Sequence, residues 1–297
     1  MLHSVRALVR EPIIILIIED AVVLKTGLTP SASGSAYIEI QPTSTIQSKS
    51  LTYQTSSLKL TCTVHGPRPL QRSAPFSPQL LLSTRVKFAP FAARQRRRYI
   101  PDASERDLAA HLETALRSVL IGERWPKSGV DVIVTVLEGE EDHPHENFGQ
   151  HRNGRTSSWG SMSILSGCIT VASAAITDAG IDCVDLVTGG VAAIVRQPSG
   201  PLQFVLDPSP SDQEEIIAAC VIGYLQSRDE ITELWAKGNM VQTNGKASHS
   251  LTFEPLIDQA VEAAMTARLV LIEALQEATE SKIQSKQPQI PEKASAM

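Results

Sequence analysis

The chain has 297 residues, of which 42% are hydrophobic and 20% charged, with a formal net charge of −5 and a sequence pI near 5.8. That length and apolar content suffice for one large domain or two small ones. The acidic balance excludes a polycation that coats nucleic acid with its whole surface, so any RNA contact must come from a local basic patch.

In chain order, residues 1–30 form an atypical opening segment. Its apolar run, REPIIILIIEDAVVL, is cut by Glu19 and Asp20, is too short for a membrane span and lacks a small-residue cleavage site. It predicts a strand or a buried segment, and no membrane association. Ser35–Ile40 (SAYIEI) and Leu58–Val64 (LKLTCTV) alternate apolar with polar, the period of half-buried strands, with a polar loop between them. GPRPLQRSAPFSP, from Gly66, has too many prolines for a central strand and predicts a connection. A third strand is expected over Leu80–Phe88.

The basic loop ARQRRRYIPDAS leads to Ser104, which with Asp107 makes a Ser-x-x-Asp helix start. Leu108, Leu112, Leu116 and Val119 then recur at helical spacing. Val130–Leu137 reads as a strand buried on both faces, because Ile133 and Leu137 join the valines. A polar surface loop, EGEEDHPHENFGQHRNGRTSS, follows.

Trp159–Gly180, WGSMSILSGCITVASAAITDAG, predicts a helix with Leu165, Ile169, Ala172 and Ile176 on one face and Gly180 as its stop. Its many small residues imply a close neighbour, either a sheet or the final helix. Strands are expected at Leu186–Val195, Phe204–Leu206, Ile217–Leu225 and Ile231–Trp235. A last helix over Pro255–Glu280 carries Leu256, Ala260, Ala264, Ala267, Leu271 and Leu275, and residues 281–297 compose as a disordered tail. The order describes an α/β fold of the two-layer α+β kind over residues 31–280: a β-β-β-α-β-α core, further strands and a long C-terminal helix.

Several residue groups invite a chemical reading, and a plainer one is stronger for each. Cys62, Cys168, Cys183 and Cys220 are widely spaced without a Cys-x-x-Cys pair, which reads as buried thiols of a reducing compartment. His143, His145 and His151 lie with acids in a loop that no rigid element fixes, so no metal is assigned. Ser161, Ser163 and Ser166 lack a Gly-x-Ser-x-Gly turn. Gly189 and Gly190 precede no phosphate-cradling motif, so no cofactor is assigned, and they read as sites of close helix-on-strand contact.

Taken together, GSAYIEI, KLTCTVHGPRP, VKFAPF, SERDLAAHLETALRSVL, VDVIVTVLEG and ITVASAAITDAGIDCVDLV resemble the RNase PH family in order and spacing, from about Gly34 to Ala278. KTGLTPSASGSAY and VHGPRPLQRSAPFSP are most similar to subunits of the eukaryotic RNA exosome ring. The resemblance implies phosphorolysis in active members: phosphate attacks the terminal 3′ phosphodiester and releases a nucleoside diphosphate. Phosphate is held at a helix N-terminus with an arginine, and a carboxylate serves the leaving oxygen or a metal.

Here the family's phosphate arginine corresponds to Leu165 and its neighbouring hydroxyl to Ser166. The catalytic aspartate corresponds to Ile217 or Ala219, with Glu214 and Glu215 out of register. The expected function is therefore a non-catalytic subunit of the exosome core ring, with no catalytic residue. It would support ring assembly and RNA threading for 3′-to-5′ processing and decay, including ribosomal RNA maturation.

The implied partners are other RNase PH-like ring subunits, cap subunits and RNA. The implied location is the nucleus and nucleolus, and also the cytoplasm. The expected RNA-binding residues are Arg94, Arg96, Arg97, Arg98 and Arg106, the dense basic group of an acidic chain. Two alternatives remain: an active phosphate-dependent 3′-to-5′ exoribonuclease using Arg152 or Arg155, and a monomeric RNA binder.

Overall fold

A computed structural model describes residues 21–41, 57–73, 75–92, 100, 102–139, 159–196, 202–208, 216–238 and 253–286. The alternating stretches fold as β1 (Ala21–Thr26), β2 (Gly34–Gln41), β3 (Leu58–Pro69) and β4 (Leu81–Phe88), followed by helix α1 (Ala103–Arg117) and β5 (Ser128–Glu138). These strands form a five-stranded sheet in the order β1-β2-β3-β5-β4. All its pairs are antiparallel except β4–β5, whose parallel pairing is bridged by α1 as a crossover. After helix α2 (Gly160–Asp178), β6 (Val187–Arg196), β7 (Leu202–Leu206), β8 (Ile216–Leu225) and β9 (Glu230–Gly238) make an antiparallel four-stranded sheet in the order β7-β6-β8-β9. Helix α3 (Glu254–Lys286) follows.

The α/β class and element order are those read from the sequence, but the layering is deeper than two. Helices α1 and α2 lie between the sheets in one core, which collects Leu60, Val64 and Val134 from the first sheet and Val191, Ala193 and Val221 from the second. The alternate residues of β6 and β8, Ala192, Ile194, Cys220 and Ile222, face α3, where Leu256, Ala260 and Ala264 close a second core. Central strands buried on both faces explain why β6 and β8 read as nearly continuous apolar runs. The last part of α3 leaves this sheet: Leu271 and Leu275 join the main core, and Lys282 pairs with Asp178 at the end of α2.

Several sequence expectations need correction. A strand is present in the opening segment, and it is β1; residues before it lie outside the described set. Strand β3 does not stop at Val64. Arg68 and Pro69 pair with Gly129 and Ser128 of β5 after a register break at His65. The break spans Gly66 and Pro67, whose peptide bond is cis, and the ladder resumes beyond them at Arg68.

The α1 cap is Asp102, not Ser104, and Glu105 reaches back to the Asp102 N–H to complete a capping box. In β5 the valines 130, 132, 134 and 136 are buried while Ile133 and Leu137 are only half-covered, so this strand is buried on one face. Helix α3 runs through Lys286, into the segment whose composition suggested disorder.

Candidate functional site

Helix α2 is buried almost all round, rather than on one face, and its small residues serve two neighbours. Toward the first sheet, Gly167 meets Leu58 and Leu60, and Gly34 of β2 approaches the backbone of Ala175 and Ala179 so closely that a Cβ at Gly34 would overlap it. Toward the second sheet runs a stripe of hydroxyls, Ser166, Thr170 and Ser173, spaced four and three residues apart. Strand β7 pairs with β6 only from Ala192 onward, so among the described residues the earlier N–H groups of β6 lack a strand partner on that side. The hydroxyls supply it: Gly189 N–H donates to Thr170 Oγ1 at 3.1 Å, and Val187 N–H donates to Ser173 Oγ at 3.2 Å.

The adjacent glycines then divide the work. Gly189 abuts the Ser166 backbone of α2, while Gly190, on the opposite face of β6, abuts Ala260 and Ala264 of α3. Gly180 ends α2 as expected, at φ 69°, with its N–H on Thr177 O and the Ile181 N–H on Ile176 O.

The position where the sequence resemblance sets the family's phosphate arginine is thus part of this packing. Leu165 is fully buried (0% exposed) in the main core, and Ser166 is buried with β6 against its backbone. The cap residue, Trp159, makes no side-chain capping bond, and the first turn of the helix has no acidic side chain. Lys237 of β9 lies 5.6 Å from the centre of the Trp159 ring. At the two positions where the sequence resemblance sets the catalytic aspartate, Ile217 is half-buried and Ala219 is buried. Glu214, Glu215, Arg152, Arg155 and the three loop histidines lie outside the described residues.

The basic loop is anchored at both ends. Ala92 is buried, its N–H donating to Ala89 O, and Asp102 caps α1. The Glu105 carboxylate accepts from the Phe88 N–H at 3.0 Å as well as from Asp102, which fastens the first turn of α1 to the end of β4. Arg106, on that turn, is exposed. Arg94, Arg96, Arg97 and Arg98 lie outside the described residues.

The thiols are not poised for chemistry. Burial pushes Cys168 and Cys220 up to about 12 and Cys183 to about 11, and raises Cys62 as well. No cluster of metal-ligating side chains occurs among the described residues.

Two polar junctions escape sequence reasoning, because their members are far apart along the chain and nothing local marks them. His111 of α1 stacks on Trp235 of β9 at 4.9 Å and holds a Glu233 oxygen 2.8 Å from its Nδ1. Arg268 of α3 donates to both oxygens of Asp185, at 2.9 and 3.1 Å, and Asp185 also accepts the Ser227 N–H. Burial pushes the Asp185 carboxyl up, but the Leu186 N–H, Arg268 and the Ser227 N–H together outweigh it and hold the group below the usual carboxylate range.

A depressed folded-state value means that this stabilisation is complete above the unfolded value, near pH 4, and is lost as pH falls through the folded one. Asp185→Asn should therefore lower stability at neutral pH and flatten the acid limb of the stability curve. Chemical denaturation between pH 6 and pH 3 checks it, and a variant curve parallel to the parent's would refute it.

Comparison with known proteins agrees with this architecture. The profile of the 3′ exoribonuclease family, domain 1 (RNase PH), matches residues 21–182. Exosome complex component MTR3 of Chaetomium thermophilum is 49% identical over 254 residues, which cover 86% of this chain and 84% of that protein. Exosome complex component mtr3 of Schizosaccharomyces pombe is 28% identical over 254 residues, covering 85% and 81%. The crystal structure of rice (Oryza sativa) Rrp46 superposes with a TM-score of 0.61 over 90% of this chain and 98% of that one, at 15% identity, a likeness of fold. With more than half its length matched by the family profile and a relative at nearly half identity along most of both chains, this chain belongs to the RNase PH family.

Proposed function

We propose that this chain is a non-catalytic subunit of the RNA exosome core ring, working in the nucleus, nucleolus and cytoplasm in 3′-to-5′ RNA processing and decay, including ribosomal RNA maturation. It assembles with other RNase PH-like chains beneath cap subunits and lines part of the RNA path. The ring assignment is supported by the extended identity to proteins named exosome complex component MTR3.

The observation that carries the non-catalytic reading is Leu165. A phosphate site needs a cation and donors within reach of solvent. The family position that supplies the cation holds an aliphatic side chain with 0% exposure, inside the core that joins the two sheets. Neither residue at the aspartate position, Ile217 or Ala219, can protonate a leaving oxygen or hold a metal. What remains is a packed scaffold whose sequence carries a basic segment at residues 94–98.

Native mass spectrometry of the tagged protein purified from its own cells tests this. One copy per particle, alongside several different RNase PH-like chains and cap proteins, is the expected result. A homo-oligomer would overturn it, as would phosphate-dependent release of nucleoside diphosphates by the isolated chain.

A further inference from the structure

Helix α3 has two apolar sides, and among the described residues only one is covered. The buried side meets the second core at Leu256, Ala260 and Ala264 and the main core at Leu271 and Leu275. On the opposite side a second apolar line reaches the surface: Met265 is 39% exposed, Leu269 70% and Ile283 56%, with Ile272 half-buried among them. Gln276 and Thr279, both exposed, complete this line between Ile272 and Ile283. The six residues are spaced alternately four and three apart, which is the a and d pattern of a heptad repeat and aligns them on one side of the helix. Asp258 and Glu262 hold the same positions one heptad earlier and end the apolar seam.

The two flanks of this seam differ. Along the g positions every side chain is engaged by the protein itself: Arg268 is bound to Asp185, Leu275 packs on the main core and Lys282 pairs with Asp178. A groove of about 330 Å³ opens on this side, between Leu186 and the helix at Ile272, Leu275 and Thr279. Along the e positions stand Glu273 and Glu280, with Glu277 beyond them. All three are exposed and none has a cationic partner among the described residues.

We propose that this seam of α3 seats one amphipathic helix of another protein, apolar at its own a and d positions and carrying lysine or arginine along the flank that meets Glu273 and Glu280. Heptad spacing of exposed apolar side chains is the surface into which a second helix packs its knobs. Gln276 and Thr279 fix the register, because a partner that faced them with leucine would bury their polar atoms without hydrogen bonds. Charge selects among the other occupants. The carboxylates repel both an anionic membrane surface and a nucleic acid. A second copy of this chain fits in neither orientation. Antiparallel pairing sets Glu273 and Glu280 against their own counterparts, and parallel pairing sets them beside Arg268 and Leu275, which Asp185 and the main core already hold. The inference stands on α3 alone and is independent of the ring-subunit reading.

The test titrates the full-length chain with a fluorescent synthetic helix of about three heptads, leucine at a and d and lysine at e and g, beside the same helix with glutamate at e and g. The chain should bind the lysine helix and reject the glutamate one. Leu269→Ser with Ile283→Ser should weaken that binding by about tenfold or more, since each change removes an apolar contact buried in the complex. Glu273→Lys with Glu280→Lys should exchange the preference between the two helices. All four side chains are exposed, so the denaturation midpoints of both variants should match the parent's.

Unchanged binding by the serine variant, or an unchanged preference in the lysine variant, would mean that the probe adheres to acidic surface at large, and the inference fails. Absence of binding by the parent chain would mean that the seam is unable to seat a basic helix or is covered by the chain's own residues, and the inference fails equally. A parent chain that sediments as a dimer, with the serine variant a monomer, would give the seam to a second copy instead.

Discussion

Gly189→Val is expected to prevent this chain from folding, or to cost at least about 3 kcal/mol, a large share of the roughly 5–15 kcal/mol that holds a typical domain together. A Cβ at Gly189 would fall on the backbone of Ser166, within 2.7 Å of its carbonyl carbon. Backbone in the second turn of a buried helix cannot rotate aside as a side chain can, so α2 would have to move as a body.

Such a shift separates the Thr170 and Ser173 hydroxyls from the Gly189 and Val187 N–H groups, leaving buried donors without acceptors. It also disturbs the contacts of Gly34 and Gly167 on the other side of the helix. Gly180→Ala is the matched comparison: nothing lies within 4 Å of the added carbon, so its cost is the left-handed backbone alone, about 1 kcal/mol. Soluble yield and denaturation midpoints of the two variants measure the difference, and similar losses for both would show that β6 and α2 are not in this contact.

Much of this architecture could be read from residue patterns, because they record which faces are buried. The alternation in SAYIEI and LKLTCTV gave the strands, and the spacing of Leu108, Leu112 and Leu116 gave α1 its buried face. The small residues of α2 correctly implied close neighbours, but a stripe of Ser and Thr does not say that it completes the hydrogen bonding of a strand that another strand covers only in part.

The misread places have physical reasons. Prolines in HGPRP argue against a strand by local chemistry, yet the ladder resumes at Arg68 because β5 runs on beside it. Asp102 and Ser104 are both competent caps, and what selects Asp102 is Glu105, tied at once to the cap and to Phe88. Of the site, the buried face of α2 that carries Leu165 and Ile169 was legible. The junctions Arg268–Asp185 and His111–Glu233 were not, since they exist only once α3 and β9 have docked.

Leu165→Arg, which puts an arginine where the sequence resemblance sets the family's phosphate residue, should destabilise the chain by about 3–5 kcal/mol and should not create phosphorolysis. The native leucine has no exposure and its surroundings are aliphatic, so a guanidinium there would be buried without a partner carboxylate. Its alternative is to drag the second turn of α2 outward, which meets the obstacle already described: Ser166 is held against Gly189.

An anion site requires more than its cation. It needs the helix start accessible, a cavity for phosphate and an acid across it, whereas Ala219 is buried and Ile217 half-buried where the resemblance sets that acid. Replacing the acid as well, with Ala219→Asp, adds a second buried charge to a central strand rather than a working pair. The measurement is phosphate-dependent release of nucleoside diphosphates from single-stranded RNA by the variant chain, read beside its denaturation midpoint. A stable variant with new phosphate-dependent activity would mean that the site had been preserved and lacked only its arginine. A destabilised and inactive one is expected, because in this chain the second turn of α2 holds two sheets together and has no face left for a substrate.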